Sequence, residues 1–274
     1  MAGYRESGGP GEKGTAMKAE TRREEIADYI MQAGQARIED LVAHFGVSRM
    51  TIHRHIDALA QQGMLRKLHG MVTVQPSGLY ESTFRYRETV GKAEKTALAR
   101  AAMAHVEAGQ AVMLDDSSTV CALADLLTDA RPLTVITNSH AAAGRLVEAD
   151  EVELISLGGK YHRTYNAYIG MTCEKAVAAL RANILFCSAS AIDGGTAFIQ
   201  DAEVTKVKQA MMASSSRKIL LADSSKFGRV ALNVLADLAA FDLVLTTDRL
   251  DGATRARLAE SGVNLQIVKM GRTT

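Results

Sequence analysis

The sequence predicts an α/β protein in two parts: an N-terminal winged helix-turn-helix unit, then a doubly wound domain on a largely parallel sheet. Three observations carry this. Between Ile38 and Val74, two helix-length stretches flank Gly46-Val47, and two short alternating runs follow them. From Gly91 onward, short apolar runs alternate with helical segments, the pattern of a parallel sheet with crossover helices. Between the two, Gln75-Pro76-Ser77-Gly78 interrupts both patterns, and Pro76 is one of only 3 prolines. A chain of 274 residues is long for one compact domain, so two are expected. The expected boundaries are a disordered tail over 1–17, a head over 18–75, a linker over 76–91 and the α/β domain over 92–274.

The elements follow in order. Met1 to Thr15 is rich in glycine and charge and has no signal-peptide core. Thr21 to Gln32 carries Ile26, Ile30 and Met31 at helical spacing and stops before Gly34. Ser48 stands at an N-cap position, directly before the second helix of the turn motif. In that helix Ile52, Ile56 and Leu59 share one face, and Gly63 ends it. Met50 and Arg54 face the other way, with Arg49, Thr51 and His53 at the flanks. Met64 to Leu68 and Met71 to Val74, hinged at His69-Gly70, read as a hairpin wing.

A helix buried on one side, with polar N-terminal residues on the other, suits a DNA major groove. The expected DNA contacts are Ser48, Arg49, Met50, Thr51, His53 and Arg54 from the helix, with Arg66 and Lys67 from the wing. Blander roles stand beside these: Arg66 and Lys67 serve equally as surface charges, and Met50 and Met71 suit gap filling. The net charge is only +1, but Arg49, Arg54, Arg66 and Lys67 face the single acid Asp57 between Gly46 and Gly70. Such a small footprint makes few phosphate contacts per subunit, so a homo-oligomer (dimer or tetramer) is expected. His53 and His55 do not form a metal pair, because helix positions i and i+2 do not share a face; His55 points toward the buried side.

Leu79 to Val90 is polar with scattered aromatics and supports no assignment. A helix is expected from Lys92 to Glu107. The expected strands are Ala111–Leu114, Leu133–Ile136, Glu153–Leu157, Ile184–Cys187, Lys218–Ala222, Leu243–Thr246 and Leu265–Val268. Helices are expected over Val120–Leu127, His140–Glu148, Glu174–Leu180, Val204–Ala213 and Ala253–Ser261.

In an open parallel sheet, ligands bind beyond the carboxyl ends of the strands. There the sequence is polar and small: Asp115-Asp116-Ser117-Ser118-Thr119, Thr137-Asn138-Ser139, Gly158-Gly159-Lys160 and Asp223-Ser224-Ser225-Lys226. Hydroxyl residues at helix N-termini offer donors to an anion, Lys226 adds a point charge, and the aspartates accept from sugar hydroxyls. A small phosphorylated polyol fits this set. The same residue types also cap helices, so Ser117, Ser118 and Thr119 have a purely structural reading too. Asp193-Gly194-Gly195 is either a plain turn or a loop facing the ligand.

Three well-separated cysteines in apolar surroundings suit reduced cytoplasmic thiols. No apolar run reaches the roughly 18 residues of a membrane span. No Gly-x-Ser-x-Gly elbow, Cys/His cluster or Walker loop is present, so no catalytic residue, metal or cofactor is expected.

From about Thr21 to Val268 the chain resembles DeoR-family transcriptional regulators. The resemblance rests on Val47-Ser48-Arg49-Met50-Thr51-Ile52-His53-Arg54 with its wing, and on the ordered set Asp115–Thr119, Thr137-Asn138-Ser139, Leu157-Gly158-Gly159, Ile169-Gly170 and Asp223-Ser224-Ser225-Lys226-Phe227-Gly228. It implies a cytoplasmic DNA-binding regulator, a repressor of a sugar or carbohydrate operon, whose sensor resembles sugar-phosphate isomerases in fold. Release from operator DNA would follow binding of a phosphorylated sugar at Asp115, Ser117, Ser118, Thr119, Thr137, Asn138, Ser139, Gly158, Gly159, Asp193 and Lys226. The alternative is an isomerase-like enzyme with an accessory DNA-binding head, with Asp115 or Asp193 as base. The chain departs from the family pattern at His53 and His55, where Arg and Asp are usual, at Met71-Val72 for Gly-Ala, and at Ser117 for Gly.

Overall fold

The computed structural model describes residues 22–23, 25–27, 29–30, 33–61, 65–74 and 83–270. The expected tail, Thr21, Met31, Gln32, Gly63, Met64 and the Gln75–Gly78 break lie outside the described residues. The chain divides into two compact units between positions 80 and 81.

In the first unit the described residues among 22–33 are helical, and Ile26 and Ile30 are fully buried. Strand β1 (Gln35–Arg37), helix α1 (Ile38–Phe45), helix α2 (Arg49–Gln61) and strands β2 (Leu65–Leu68) and β3 (Met71–Val74) follow. Gly46 ends α1 in the left-handed region at φ 62°, its N–H donating to the Val42 carbonyl. The chain thus reverses within two residues, and Ser48 starts α2 by accepting from the Thr51 N–H at 3.2 Å. Ile52 and Ile56 are fully buried and Leu59 nearly so. The wing has three strands, not the expected two: antiparallel order β1-β3-β2. Three residues are too few to show alternation, so β1 was invisible in the sequence.

The second unit starts before position 92. Residues 84–89, expected within the linker, form helix α3 (Phe84–Thr89), capped by Thr83, and Phe84 is buried in the core. Helix α4 (Lys92–Met103) is shorter than expected. Then come β4 (Ala111–Leu114), α5 (Ser118–Leu127), β5 (Leu133–Thr137), α6 (His140–Leu146), β6 (Val152–Ser156), β7 (Lys160–His162), β8 (Ala167–Ile169), α7 (Met171–Ala178) and β9 (Ala182–Cys187). After them follow β10 (Ala191–Asp193), β11 (Thr196–Ile199), α8 (Ala202–Ala213), β12 (Ser215–Leu221), β13 (Asn233–Asp237), β14 (Leu243–Thr247), α9 (Gly252–Glu260) and β15 (Leu265–Val268).

All seven expected strands pair in one parallel sheet, in the order β15-β14-β12-β9-β4-β5-β6. Their side chains alternate between two cores. Val112, Leu114, Ile184, Phe186, Ile219 and Leu221 pack with α4, α5 and α6. Met113, Leu185, Cys187, Leu220 and Val244 pack with α7, α8 and α9. Burial on both faces is why the strands read as continuous apolar runs. The strand order reverses between β4 and β9, which neighbour each other at the centre: β4 leads out to β6, and β9 leads out to β15. Two small antiparallel additions, β7-β8 and β10-β11-β13, stand apart from this sheet.

Candidate functional site

The N-terminal turns of α2 present Ser48, Arg49, Met50 and Arg54 to solvent, with Thr51 and His53 half-buried. Met50 is 81% exposed, which rules out the gap-filling role and leaves its apolar side chain in solvent. Arg54 and Arg66 are exposed and pair with no carboxylate among the described residues. Arg49 lies 3.2 Å from Glu39, a surface pair weak enough to be exchanged for a phosphate. Lys67 is paired with Asp57 of α2 and ties the wing to the helix. His55 packs inside, 3% exposed. Burial, then the charges of Arg54, Arg23 and Arg22, push its pKa below the usual histidine value.

In the second unit, polar side chains are buried along the carboxyl edge of the sheet, centred where the strand order reverses. Asp115, directly after β4, is fully buried. It accepts from the Ser117 N–H (2.9 Å), the Ser117 hydroxyl (2.6 Å) and the Ser188 N–H beyond β9 (2.8 Å), and from Lys208 of α8. The two halves of the sheet are therefore fastened together at this carboxylate. Asp116, 1% exposed, has Lys208 Nζ at 3.0 Å, yet neither of its oxygens accepts a hydrogen bond. Burial alone would discharge Lys208, but Asp115 and Asp116 outweigh it and hold its pKa above the ordinary lysine value.

A second polar group joins the loops after β4, β12 and β14. Glu94 of α4 accepts from the Ser224 N–H and hydroxyl at 3.0 Å each, and from Thr247. Lys95 Nζ donates to the Arg87 carbonyl and, at 3.0 Å, to the Ser118 hydroxyl. Burial pulls the Lys95 pKa down to about 8, the nearby Asp223 only partly offsetting it while Lys226 and Arg87 add to it.

Several expected ligand residues have structural duties. Ser117 caps α5 through the Val120 N–H, and Ser139 caps α6 through the Ala142 N–H. Thr137 donates to the Leu114 carbonyl and accepts from the Ser139 N–H. Gly158 is exposed and open, whereas a Cβ on Gly159 would meet the Ile169 carbonyl at 2.6 Å, so this glycine admits β8. Asp193 is exposed at the β10–β11 turn, where Gly194 and Gly195 take positive φ, outside the buried cluster. Asn138 donates to the Tyr168 carbonyl while its Oδ1 is unpaired. Ser118, Thr119 and Lys226 are brought together with Lys95 and Asp223, since α5 and the turn Ser224–Lys226 both meet α4.

Lys95 and Lys208 escaped the sequence reading. Each sits on the apolar stripe of its helix, beside Leu98, Ala99 and Ala102 in one case and Val204 and Met211 in the other. A lysine on a buried stripe is the signal that would have found them. The three cysteines are buried free thiols; burial pushes Cys121 up to about 12 and Cys173 up to about 11, which disfavours the thiolate form. Among the described residues no cluster of His, Cys, Asp and Glu is arranged to hold a metal ion, and no helix is long and apolar enough to cross a membrane. A surface depression lined by Gly109, Pro132, Leu133 and Glu153 lies at the amino ends of the strands, on the opposite edge from these loops.

A helix-turn-helix head followed by an α/β domain with a buried polar strand edge defines a DNA-binding transcription regulator with a sensor domain. Residues 22–77 match the DeoR-like helix-turn-helix domain, and residues 91–249 match the DeoR C terminal sensor domain. The chain belongs to the DeoR family. It is 32% identical to the L-fucose operon activator of Haemophilus influenzae, over 82% of this chain and 90% of that protein. It is 27% identical to the glycerol-3-phosphate regulon repressor of Escherichia coli, over 84% of this chain and 91% of that one. Both are regulators, and this chain is a regulator rather than an enzyme. In fold, it is similar to a D-ribose-5-phosphate isomerase, at 16% identity and a TM-score of 0.37 over 48% of this chain and 52% of that one.

Proposed function

We propose that the protein represses a sugar or carbohydrate-metabolism operon and leaves operator DNA when a phosphorylated sugar or related metabolite binds the second unit. The observation that carries this is the buried polar strand edge at the reversal of strand order, which keeps unspent acceptors on Asp116, Asn138 and Ser188. A buried polar atom without a partner calls for a ligand or water, and here they gather where parallel sheets take ligands. The names of the fucose and glycerol-3-phosphate regulators support the ligand class. Asp115 and Asp193 do not favour the isomerase reading: the first is saturated by protein donors, and the second sits on an exposed turn.

On the DNA side, Arg54 and Arg49 serve base edges or phosphates, and Met50 offers an apolar contact to a thymine methyl. A dimer or tetramer supplies the second half-site that this small basic footprint needs. Val230, Leu232 and Val234, each more than half exposed at and before the end strand β13, support self-association. The test is a gel-shift titration of operator DNA against D-ribose 5-phosphate, D-fructose 6-phosphate and glycerol 3-phosphate. At least one is expected to lower operator affinity tenfold or more; no change with any sugar phosphate overturns the reading.

A further inference from the structure

We propose that two copies of this chain join along β13, their 229–237 segments running antiparallel about a twofold axis at Asn233. The proposal deepens the self-association named above by giving it a surface, a register and a partner. The antiparallel sheet β10-β11-β13 has two edges, and the chain treats them differently. The β10 edge is covered from within: Ile192 bridges Phe227, and the Arg229 N–H donates to the Ile192 carbonyl at 3.3 Å. The β13 edge pairs with no further strand among the described residues. One face of β13 rests on α8, where Leu235 packs into the core and Gln209 reaches the Val234 and Leu235 carbonyls. The other face carries Val234, 57% exposed, beside the half-buried Phe198 with which it pairs. Val230 and Leu232 precede it, 57% and 69% exposed. Residues 229–232 form no helix or strand, and the N–H groups of Val230, Ala231 and Leu232 donate to no group among the described residues. Free edges are usually blunted by lysine, proline or charge, and none stands between Val230 and Ala236.

The segment is complementary to itself. An antiparallel pair centred on Asn233 sets Leu232 of one copy opposite Val234 of the other, Val230 opposite Ala236, Ala231 opposite Leu235, and Arg229 opposite Asp237. Directly opposite residues share a face, so the exposed Leu232 and Val234 side chains cover each other. Arg229 and Asp237 are both exposed, and neither forms an ion pair among the described residues; Asp237 accepts from the Thr196 hydroxyl at 3.2 Å. Twofold symmetry repeats every contact, giving two Arg–Asp and two Leu–Val pairs per dimer. A slip of one residue in either direction parts Arg229 from Asp237 and sets Asn233 against Leu232 or Val234, which fixes the register. Pairing draws residues 229–232 into the strand and gives their idle N–H groups acceptors. A second copy therefore fits this edge in both charge and apolar pattern, and it supplies the second head that two half-sites need.

Sedimentation velocity on the full chain tests this. The wild type is expected to sediment as a dimer or larger. Leu232→Lys sets a charge at the centre of the join and is expected to weaken the association about tenfold or more. Arg229→Glu alone puts carboxylate against carboxylate at both ends of the pair, and Asp237→Arg alone puts guanidinium against guanidinium. Each is expected to weaken self-association about fivefold, since symmetry makes each substitution count twice. Mixed in equal amounts, these two variants face each other with opposite charges at both ends, and are expected to form a heterodimer near wild-type strength. All three positions are exposed, so the variants keep the fold, which far-UV circular dichroism checks. A wild type that stays monomeric, self-association untouched by Leu232→Lys, or charge variants that do not recover on mixing overturns the proposal. A chain that passes the mixing test but answers no sugar phosphate in the gel shift keeps this interface and loses the ligand reading.

Discussion

Replacing Lys208 by methionine keeps the unbranched apolar stem of the side chain and removes the one cation between two buried carboxylates. Lys208, Asp115 and Asp116 are 3%, 0% and 1% exposed, so water does not take the place of the ammonium. Breaking a buried ion pair by removing one partner costs about 3–5 kcal/mol. Asp115 retains three protein donors after the change, which holds the cost down; Asp116 retains none, which raises it. About 4 kcal/mol is the expected loss, or roughly 8–16 °C in Tm for a unit of this size. Urea unfolding followed by far-UV circular dichroism measures it, on the transition of the second unit. Asp116→Asn added to Lys208→Met should recover at least about 1 kcal/mol, because it removes an uncompensated buried charge. A loss below about 1 kcal/mol for Lys208→Met would show these carboxylates to be hydrated and would refute the reading of Lys208 as their buried counter-ion.

Other outcomes follow from single residues. Arg54→Ala is expected to weaken operator binding by about 1–3 kcal/mol in a gel shift without changing the melting of the head; unchanged affinity would displace α2 as the recognition helix. Gly159→Ala places a Cβ 2.6 Å from the Ile169 carbonyl at φ +151°, and should destabilise the second unit by about 1–3 kcal/mol in thermal melts. His55 titrates lower in the folded head than its unfolded value of 6.5. The unfolded chain therefore binds more protons as pH falls through about 6.5, and head stability drops there, being fully present above it. Melting of the head at pH 5.5 and 7.5 checks this, and His55→Gln should flatten the difference.

Much of the fold was legible because its signals are repeated. Seven apolar runs separated by helical stretches leave one arrangement, and each run appears in the sheet. Elements of three or four residues, such as β1 and the β7-β8 hairpin, carry too few positions to display a period. Helix α3 was missed because, of its six residues, only Phe84 is buried; the rest look like linker. The site was harder for a chemical reason. Ser117, Thr137 and Ser139 have the residue types that bind anions, but the structure uses Ser117 and Ser139 to cap helices and Thr137 to tie the loop after β5 to the Leu114 carbonyl. Sequence spacing cannot separate these uses. Lys95 and Lys208 were hidden by the opposite prior, since lysines are rarely buried. Only the apolar company they keep on α4 and α8 betrays them.

The bond between Asp115 and Lys208 spans 93 residues of chain. During synthesis the loop after β4 emerges long before α8, so its two acids wait without their cation while β5, β6 and β9 are made. A chain cut anywhere before Lys208 holds apolar strands ready to collapse around carboxylates that nothing neutralises. The polar centre of the second unit is thus among the last parts of its sheet to be completed, because its cation arrives only with α8.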